Sequence, residues 1–225
     1  MLHILQNDPA VPVGTLLDDC PVPVAVHCLY GGEPLPTVGR NDALMVLGGA
    51  MGVNDIGRVP FLLGLKEYIR RTVDSGIPYL GICLGGQLLA SAFGAAVIAG
   101  RWGERGTLPV KLTDNGLSDP LFAGFSAEFT TFQWHDDSFD LPEGSVLLAS
   151  SVACPHQAFR VSERAWGVQF HPEVTAAIIR NWCSWRPETA AAADNILADF
   201  SRNYEVYAPA ARKLRDNFLR VSALI

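Results

Sequence analysis

Short apolar runs, each closed by a turn residue or followed by an amphipathic stretch, recur through the first part of this sequence. Four of them precede residue 83, at 3–6, 22–28, 43–47 and 78–82. Short apolar runs bounded by glycine and proline are typical of strands that are buried on both faces, as in a parallel sheet covered by helices. The pattern predicts an α/β fold.

A helix is predicted between the third and fourth runs. Apolar side chains recur every fourth position through residues 60–75, namely at Phe61, Leu65, Ile69 and Val73. Pro60 suits a first helical turn, and Gly76 suits a C-terminal stop. A second helix is predicted to begin just after Leu84 and to end at Gly94.

Beyond Gly94 the apolar runs become shorter, at 95–98, 107–112, 128–132, 145–149, 157–161 and 166–170, and antiparallel strands and hairpins are predicted to dominate this part of the chain. From Glu173 onward the pattern is helical, with breaks predicted at 186–187 and 208–209 because each pair contains proline. We therefore predict one domain over 1–185 and a helical C-terminal extension over 186–225 that packs on the domain or on a partner.

The composition limits the possible partners and location. Seventeen Lys and Arg against 23 Asp and Glu give a net charge of −6 without a basic block, so nucleic acid is not an expected partner. The sequence has neither a basic leader with an apolar segment nor a run that would span a bilayer, which predicts a cytoplasmic protein without membrane association. Five cysteines, an odd number without a C-x-x-C pair, predict free thiols.

Metal and nucleotide sites are not predicted. The five histidines form no H-x-x-x-H pair, and no Cys/His cluster is present. No glycine-rich phosphate loop follows a strand. We therefore expect no cofactor.

The segment from Pro78 to Ala90, PYLGICLGGQLLA, contains the pattern G-x-C-x-G at a strand-to-helix turn. Such a turn exposes the Cys83 sulfur and places it at a helix N-terminus, where the dipole favours the thiolate. It also aims the N–H of Leu84 at a developing oxyanion. The alternative is a buried cysteine in a glycine-rich turn.

A base for this thiolate is predicted in WGVQFHPE, where a short apolar strand delivers His171 and Glu173 follows two residues later. A carboxylate beside the imidazole would fix its tautomer and raise its basicity. Taken alone, a histidine before proline is more typical of a surface turn.

Together, GICLGGQ and GVQFHPE resemble the class I (triad-type) glutamine amidotransferase family, from about residue 2 to about residue 185. The resemblance implies Cys83 as nucleophile, His171 as general base and then acid, and Glu173 as its orienting carboxylate. It also implies a flavodoxin-like fold, with an open, mainly parallel sheet and helices on both faces.

The turn LGGAMG after the third strand is expected to lie beside Cys83 and to stabilise the oxyanion. The resemblance implies that Gly49 donates its N–H there, alongside Leu84. Ala50 stands where the family usually has proline. The alternative is an ordinary turn glycine pair.

Substrate contacts are predicted at Gln87, one helical turn after Cys83, and at Trp134, His135 and Asp136 in a W-H-x-D segment like that of stand-alone family members. His135 is also a rival base, disfavoured because no strand-delivered carboxylate is apparent beside it. Residues 101–106 resemble the family's acidic loop near the substrate, and a solvated charged turn explains them equally well.

The implied chemistry is hydrolysis of the γ-glutamyl amide bond of glutamine or a γ-glutamyl compound through a thioester on Cys83. Two enzyme readings stay open, a free-standing γ-glutamyl peptidase or hydrolase and a glutaminase that serves a separate synthetase or acceptor subunit. A third reading is a catalytically idle relative that binds a partner through its helical tail.

Overall fold

A computed structural model describes residues 1–225, which form eleven strands and six α-helices. The strands are β1 (Leu2–Gln6), β2 (Val24–Cys28), β3 (Ala43–Val46), β4 (Tyr79–Ile82), β5 (Val97–Ile98), β6 (Glu104–Leu112), β7 (Glu128–His135), β8 (Ser138–Phe139), β9 (Val146–Ser150), β10 (Ala158–Ser162) and β11 (Ala165–Val168). The helices are α1 (Phe61–Asp74), α2 (Leu84–Ala92), α3 (Asp114–Ser118), α4 (Ala176–Cys183), α5 (Pro187–Ala191) and α6 (Ala193–Val221).

Nine of the strands form one sheet in the order β2-β1-β3-β4-β11-β10-β9-β6-β7. The strands from β2 to β11 in that order pair in parallel, and those from β11 to β7 pair antiparallel. Helices α1 and α2 pack in one apolar cluster and α6 in another, with alternate residues of β1 contributing to each. This arrangement confirms the predicted flavodoxin-like α/β class with helices on both faces.

The topology brings three loops to one edge of the sheet. Strand β4 lies between β3 and β11, and all three run in the same direction. The chain therefore leaves them at the same edge, β3 into Gly48, β4 into Cys83 and β11 toward His171. Ligand sites of open α/β sheets lie at this edge.

The two predicted helices are confirmed, with slightly shorter bounds. Helix α1 buries Leu62, Leu65 and Ile69 against the sheet, and its chain reverses at Gly76, whose φ of 75° favours glycine. Helix α2 begins at the residue after Cys83 because the sharp turn leaves no room for a connecting loop.

The antiparallel strands differ from the predicted bounds. Strand β6 begins at Glu104 rather than at residue 107, and β7 continues to His135 rather than ending at 132. Glu104 pairs with His135 at the end of this ladder, so the strands extend through polar residues that an apolar pattern misses. The two-residue strand β8 was also missed, and β11 ends at Val168 rather than at residue 170.

The predicted break at 208–209 is wrong, because α6 is continuous through Pro209. Proline has no backbone N–H, so one hydrogen bond of the helix is missing. The carbonyl that lacks a donor is that of Glu205, which is exposed. Buried Tyr207 and Ala211 hold the opposite side of the helix on the domain. The break at 186–187 is confirmed, with Pro187 as the first residue of α5.

The C-terminal extension contacts the rest of the chain along much of α6. The Asn217 amide donates to the backbone carbonyl of Leu121 at 2.9 Å. Leu214 and Phe218 belong to the same apolar cluster as the central strands. The boundary at 185/186 stays a prediction. None of the helices has the length and apolar character that crossing a bilayer requires.

Candidate active site

Cys83 occupies a sharp turn between β4 and α2. Its backbone has φ 50° and ψ −107°, a region that is costly for any residue other than glycine. The turn is held because the Cys83 N–H donates to the Val168 carbonyl at 2.8 Å and the Cys83 carbonyl accepts from the Gln87 N–H at 2.9 Å. The residue is 7% exposed and faces a cleft.

The two glycines that flank this cysteine are required by close backbone contacts. A Cβ atom on Gly81 would lie 2.3 Å from the carbonyl carbon of Gly85. A Cβ atom on Gly85 would lie 2.1 Å from the carbonyl oxygen of Val46. Neither contact is sterically possible, so both positions of the G-x-C-x-G pattern exclude a side chain.

His171 and Glu173 form a buried pair beyond the end of β11. Nδ1 of His171 lies 2.6 Å from Oε1 of Glu173, and the two side chains are 3% and 0% exposed. The His171 N–H donates to the Phe132 carbonyl at 2.8 Å. The imidazole also packs edge-on against Trp182, with ring centroids 4.7 Å apart. These contacts fix both the backbone and the ring of His171.

The imidazole and the Cys83 side chain meet at Gly48. A Cβ atom at Gly48 would lie 3.2 Å from Cε1 of His171 and 3.5 Å from Cβ of Cys83. With Nδ1 engaged by Glu173, the other ring nitrogen, Nε2, is buried and has no hydrogen-bond partner in the protein. The structure thus brings together Cys83, His171 and Glu173 from segments far apart in the sequence.

Charge determines the protonation state of His171. Burial by itself lowers its pKa, but its interactions with the Glu173 carboxylate and with Cys83 outweigh burial and raise the pKa to about 10. The imidazole therefore stays protonated at neutral pH, with its positive charge beside the Cys83 side chain.

Gln169 is a site residue that the sequence analysis missed. Its amide Nε2 lies 3.5 Å from the Cys83 sulfur, and its Oε1 accepts from Nε2 of Gln87 at 3.2 Å. Gln87 also donates to the backbone carbonyl of Asp137 at 3.2 Å. Gln169 stands two residues before His171, and its position in the GVQFHPE segment was the available signal.

The Gly48–Gly49 turn is held by the first loop of the chain. The Asn7 amide donates to the Leu47 carbonyl at 2.7 Å, and the Ala50 N–H donates to the Asp8 carboxylate at 3.0 Å. A proline at position 50 has no N–H and would lose the second bond. Asp8 therefore fixes the turn by a hydrogen bond where the family usually has a proline ring.

Cys83 opens into a cleft of about 290 Å³. The predicted residues Gly49, Leu84 and Gln87 line it, as do Trp134, His135 and Asp136. Its remaining wall is formed by Ala50, Met51, Gly52, Asn54, Asp55, Ala99, Asp137, Trp185 and Arg186.

The predicted surroundings of His135 are wrong in one respect, because a strand-delivered carboxylate does lie beside it. Oε2 of Glu104, the first residue of β6, is 3.5 Å from Nε2 of His135. Nδ1 of His135 lies 3.2 Å from the carbonyl oxygen of Asp137. Glu104 is only 8% exposed, so residues 101–106 are not simply a solvated charged turn.

Glu104 and His135 also lie close to the buried thiol of Cys154, and the potential metal-ligand atoms of the three residues are within 4.8 Å of one another. The Glu104 carboxylate accepts from the Ser151 hydroxyl at 2.8 Å and from the Gln157 amide. The carboxylate is therefore already satisfied by protein donors, which favours a structural polar network at this wall of the cleft.

Comparison with known proteins identifies the family of this chain. The profile of the family described as "Glutamine amidotransferase class-I" matches residues 33–179. This chain belongs to the class-I glutamine amidotransferase family.

Two curated relatives of this chain are similar to it over part of their length. A putative glutamine amidotransferase-like protein of Salmonella typhimurium, YfeJ, is 34% identical over 155 residues, 67% of this chain and 65% of the relative. One of the subunits of the glutamine-hydrolysing GMP synthase of Thermoplasma acidophilum is 35% identical over 135 residues, 59% of this chain and 64% of the relative. The matched part of this chain thus spans just under two thirds of each relative.

The structural likeness is more extensive. The crystal structure of a glutamine amidotransferase from Thermotoga maritima superimposes with a TM-score of 0.85 at 28% identity, covering 98% of this chain and 97% of that one. The likeness therefore includes the C-terminal helices of this chain, beyond the end of the profile match.

Proposed function

We propose that this chain hydrolyses the γ-carboxamide of glutamine through a thioester on Cys83. The proposal rests on one observation. The strained turn that carries Cys83 lies next to the His171 ring, and Nδ1 of that ring contacts Glu173. The thiolate attacks the γ-carbonyl carbon, and the C–N bond breaks as His171 gives a proton to the leaving ammonia. Water then loses a proton to His171 and attacks the thioester, which releases glutamate and the thiol.

The oxyanion of both tetrahedral intermediates is proposed to lie between the N–H groups of Gly49 and Leu84. Leu84 is the first residue of α2, so its N–H has no acceptor within the helix and points toward the N-terminal end. Gly49 lies on the adjoining wall of the cleft. Each such donor contributes about 3 kcal/mol to transition-state stabilisation in acyl-transfer enzymes.

The substrate is proposed to be held by Gln87 and the Trp134–Asp136 turn, which line the cleft next to Cys83. We further propose that the ammonia passes to a separate synthetase chain, since one curated relative is part of a glutamine-hydrolysing GMP synthase.

A γ-glutamyl peptide is the second candidate substrate. The indole rings of Trp134 and Trp185 line the cleft and offer an apolar surface for a leaving group larger than ammonia.

Product analysis tests the proposal and separates the two substrates. The purified chain is incubated with glutamine and with γ-glutamyl peptides, and ammonia and released amine are measured. We expect ammonia from glutamine, and loss of product formation in Cys83→Ala. Release of amine from the peptides at a higher kcat/KM would favour the peptidase.

Covalent labelling identifies the nucleophile independently of turnover. A chloroketone analogue of glutamine should alkylate Cys83, which mass spectrometry of the digested protein detects. Cys20→Ser is the matched control, because Cys20 is a half-buried free thiol outside the cleft and its loss should leave labelling unchanged. Labelling of Cys20 or Cys28 with Cys83 unmodified would contradict the assignment and favour the idle, partner-binding reading.

A further inference from the structure

The loop that follows β1 holds three consecutive peptide groups of the glycine turn. The Asn7 amide donates to the Leu47 carbonyl at 2.7 Å and lies 3.5 Å from the Gly48 carbonyl, to which it also donates. The Ala50 N–H donates to Oδ2 of Asp8 at 3.0 Å. Each peptide group from Leu47 to Ala50 is therefore bonded to a side chain of this loop.

Asp8 is itself oriented by its own loop, which comprises residues 7–11. Its Oδ1 accepts from the Ala10 N–H at 2.8 Å, and its Oδ2 accepts from the Ala50 N–H of the turn. The Gln6 amide donates to the Asp8 backbone carbonyl at 2.9 Å. The Asp8 carboxylate therefore links the loop to the turn through two different oxygens, and its own backbone is held in place.

The same loop supports the imidazole on the other side of the site. The Trp182 indole N–H donates to the Ala10 carbonyl at 2.7 Å, and the Trp182 ring packs edge-on against His171. Val11 belongs to the same apolar cluster as Trp182. A Cβ atom on Gly48 would lie 3.4 Å from Cγ1 of Val11. One loop therefore contacts both the glycine turn and the residue that packs on the proposed base.

The Gly49 N–H is available to a ligand. Gly49 lines the cleft, and its N–H has no hydrogen-bond acceptor within the chain. All peptide bonds are trans, so this N–H points in the direction opposite to the Gly48 carbonyl, which accepts from Asn7. The Gly49 N–H therefore points away from the loop that holds the turn.

We infer that Asp8 is a positioning residue, which holds the turn so that the Gly49 N–H can donate to the oxyanion formed at Cys83. Peptide groups next to glycine rotate readily, because glycine adopts both signs of φ. A donor contributes most when it is already oriented as the charge develops. Asp8 does not line the cleft, so it acts through the Ala50 N–H and not on the substrate. The inference rests on the proposed function, because it concerns one of the two proposed oxyanion donors.

Steady-state kinetics of ammonia release from glutamine test the inference. Asp8→Ala should lower kcat about 10- to 100-fold, because a displaced donor stabilises the tetrahedral intermediates less. KM should change less than about twofold, since the interaction is made in the transition state. The rate at which iodoacetamide alkylates Cys83 should also change less than about twofold, because this displacement forms no oxyanion. A general disruption of the site would alter all three quantities.

A double-mutant cycle isolates the bond between the two segments. Proline has no N–H, so Asp8 cannot bond to position 50 in Ala50→Pro. In that background Asp8→Ala should lower kcat less than about threefold. Melting temperatures establish that each variant is folded. If Ala50→Pro does not fold, the comparison of kcat with KM and with the alkylation rate decides the question in Asp8→Ala alone.

Asp42→Ala is the matched control. The Asp42 carboxylate also accepts from a backbone N–H, that of Gly39 at 2.8 Å, but it lies just before β3 at the opposite edge of the sheet. Its loss should leave kcat and KM for glutamine within about twofold.

Hydrogen exchange measured by mass spectrometry reports on the turn without turnover. A peptide that covers residues 47–52 should exchange about fivefold faster or more in Asp8→Ala than in the wild type. A peptide from the middle of α1 should exchange equally in both. The same peptides in Asp42→Ala should match the wild type.

Several results would overturn the inference. They are an unchanged kcat in Asp8→Ala when the wild type releases ammonia, an equal loss of kcat with and without Ala50→Pro, and unchanged exchange of the turn. Failure of the proposed function is a different result, namely no ammonia release by the folded wild type. Exchange of the turn then still decides whether Asp8 positions it.

Discussion

Nδ1 of His171 lies 2.6 Å from Oε1 of Glu173, and both side chains are almost completely removed from solvent. At this depth, an imidazolium needs a nearby negative charge to remain protonated. The carboxylate supplies that charge, and the single intervening proline residue keeps the two side chains in one turn. The pair therefore determines both the orientation and the charge of the proposed base.

Glu173→Gln should remove most of the activity. The neutral amide no longer raises the pKa of His171, so the imidazole loses its proton at lower pH and the thiolate loses its cationic partner. We expect kcat/KM for glutamine to fall by about 10² to 10⁴-fold, measured by ammonia release. Glu163→Gln, an exposed carboxyl group between β10 and β11, should have no effect. Equal activity of the two variants would contradict the orienting role.

The stability of the chain should also depend on pH through His171. The pKa of His171 is raised from 6.5 to about 10 in the folded state, so its stabilising contribution is complete below pH 6.5 and lost as the pH rises through about 10. The free energy of unfolding of the wild type should therefore fall more between pH 7 and 10 than that of Glu173→Gln. Urea denaturation at several pH values measures both, and parallel curves would count against this assignment.

Cys83→Gly should be more stable than Cys83→Ala, although neither should release ammonia. The positive φ of 50° at this position strains alanine and cysteine but not glycine. Residues held in such regions cost about 1 to 3 kcal/mol, which is the expected difference in the free energy of unfolding. If alanine proves as stable as glycine, the turn does not store strain.

Gly85→Ala should destabilise the fold by about 3 kcal/mol, because its Cβ would overlap the Val46 carbonyl oxygen and force apart β3 and α2. Gly64→Ala, near the start of α1, is the matched control. A Cβ atom there meets nothing within 4 Å, so the substitution should stabilise the helix by about 0.5 to 1 kcal/mol. Chemical denaturation distinguishes the opposite signs.

Tyr207→Phe tests whether the C-terminal helix supports the site. The Tyr207 hydroxyl donates to the backbone carbonyl of His171 at 3.1 Å from the buried side of α6. Its loss should cost about 1 to 3 kcal/mol of stability and lower kcat more than it raises KM. Tyr204→Phe, one helical turn earlier and 41% exposed, should change neither quantity. A similar loss in both variants would indicate a general effect on the helix.

The local elements of the site were predictable because each has a local cause. The strand ending at Cys83, its flanking glycines and the immediate helix follow from backbone geometry within one short segment, and α1 follows from its apolar period. Strand β6 was predicted too short, since buried Glu104 continues the ladder through pairing with a residue on another strand. The predicted break at Pro209 was wrong for a similar reason. Burial of the residues before and after this proline stabilises the helix by more than the one lost hydrogen bond costs.

The sequence by itself determined the α/β class, the bend that presents Cys83 and the short segment that joins His171 to Glu173. Only the tertiary structure decided that Gln169 contacts the sulfur, that Asp8 fixes the Gly48–Gly49 turn, and that Arg186 from the C-terminal extension reaches the mouth of the cleft. The physical reason is the range of the forces involved. Turns and helices are set by neighbouring residues, whereas burial and ion pairing depend on which distant segments the sheet order brings together.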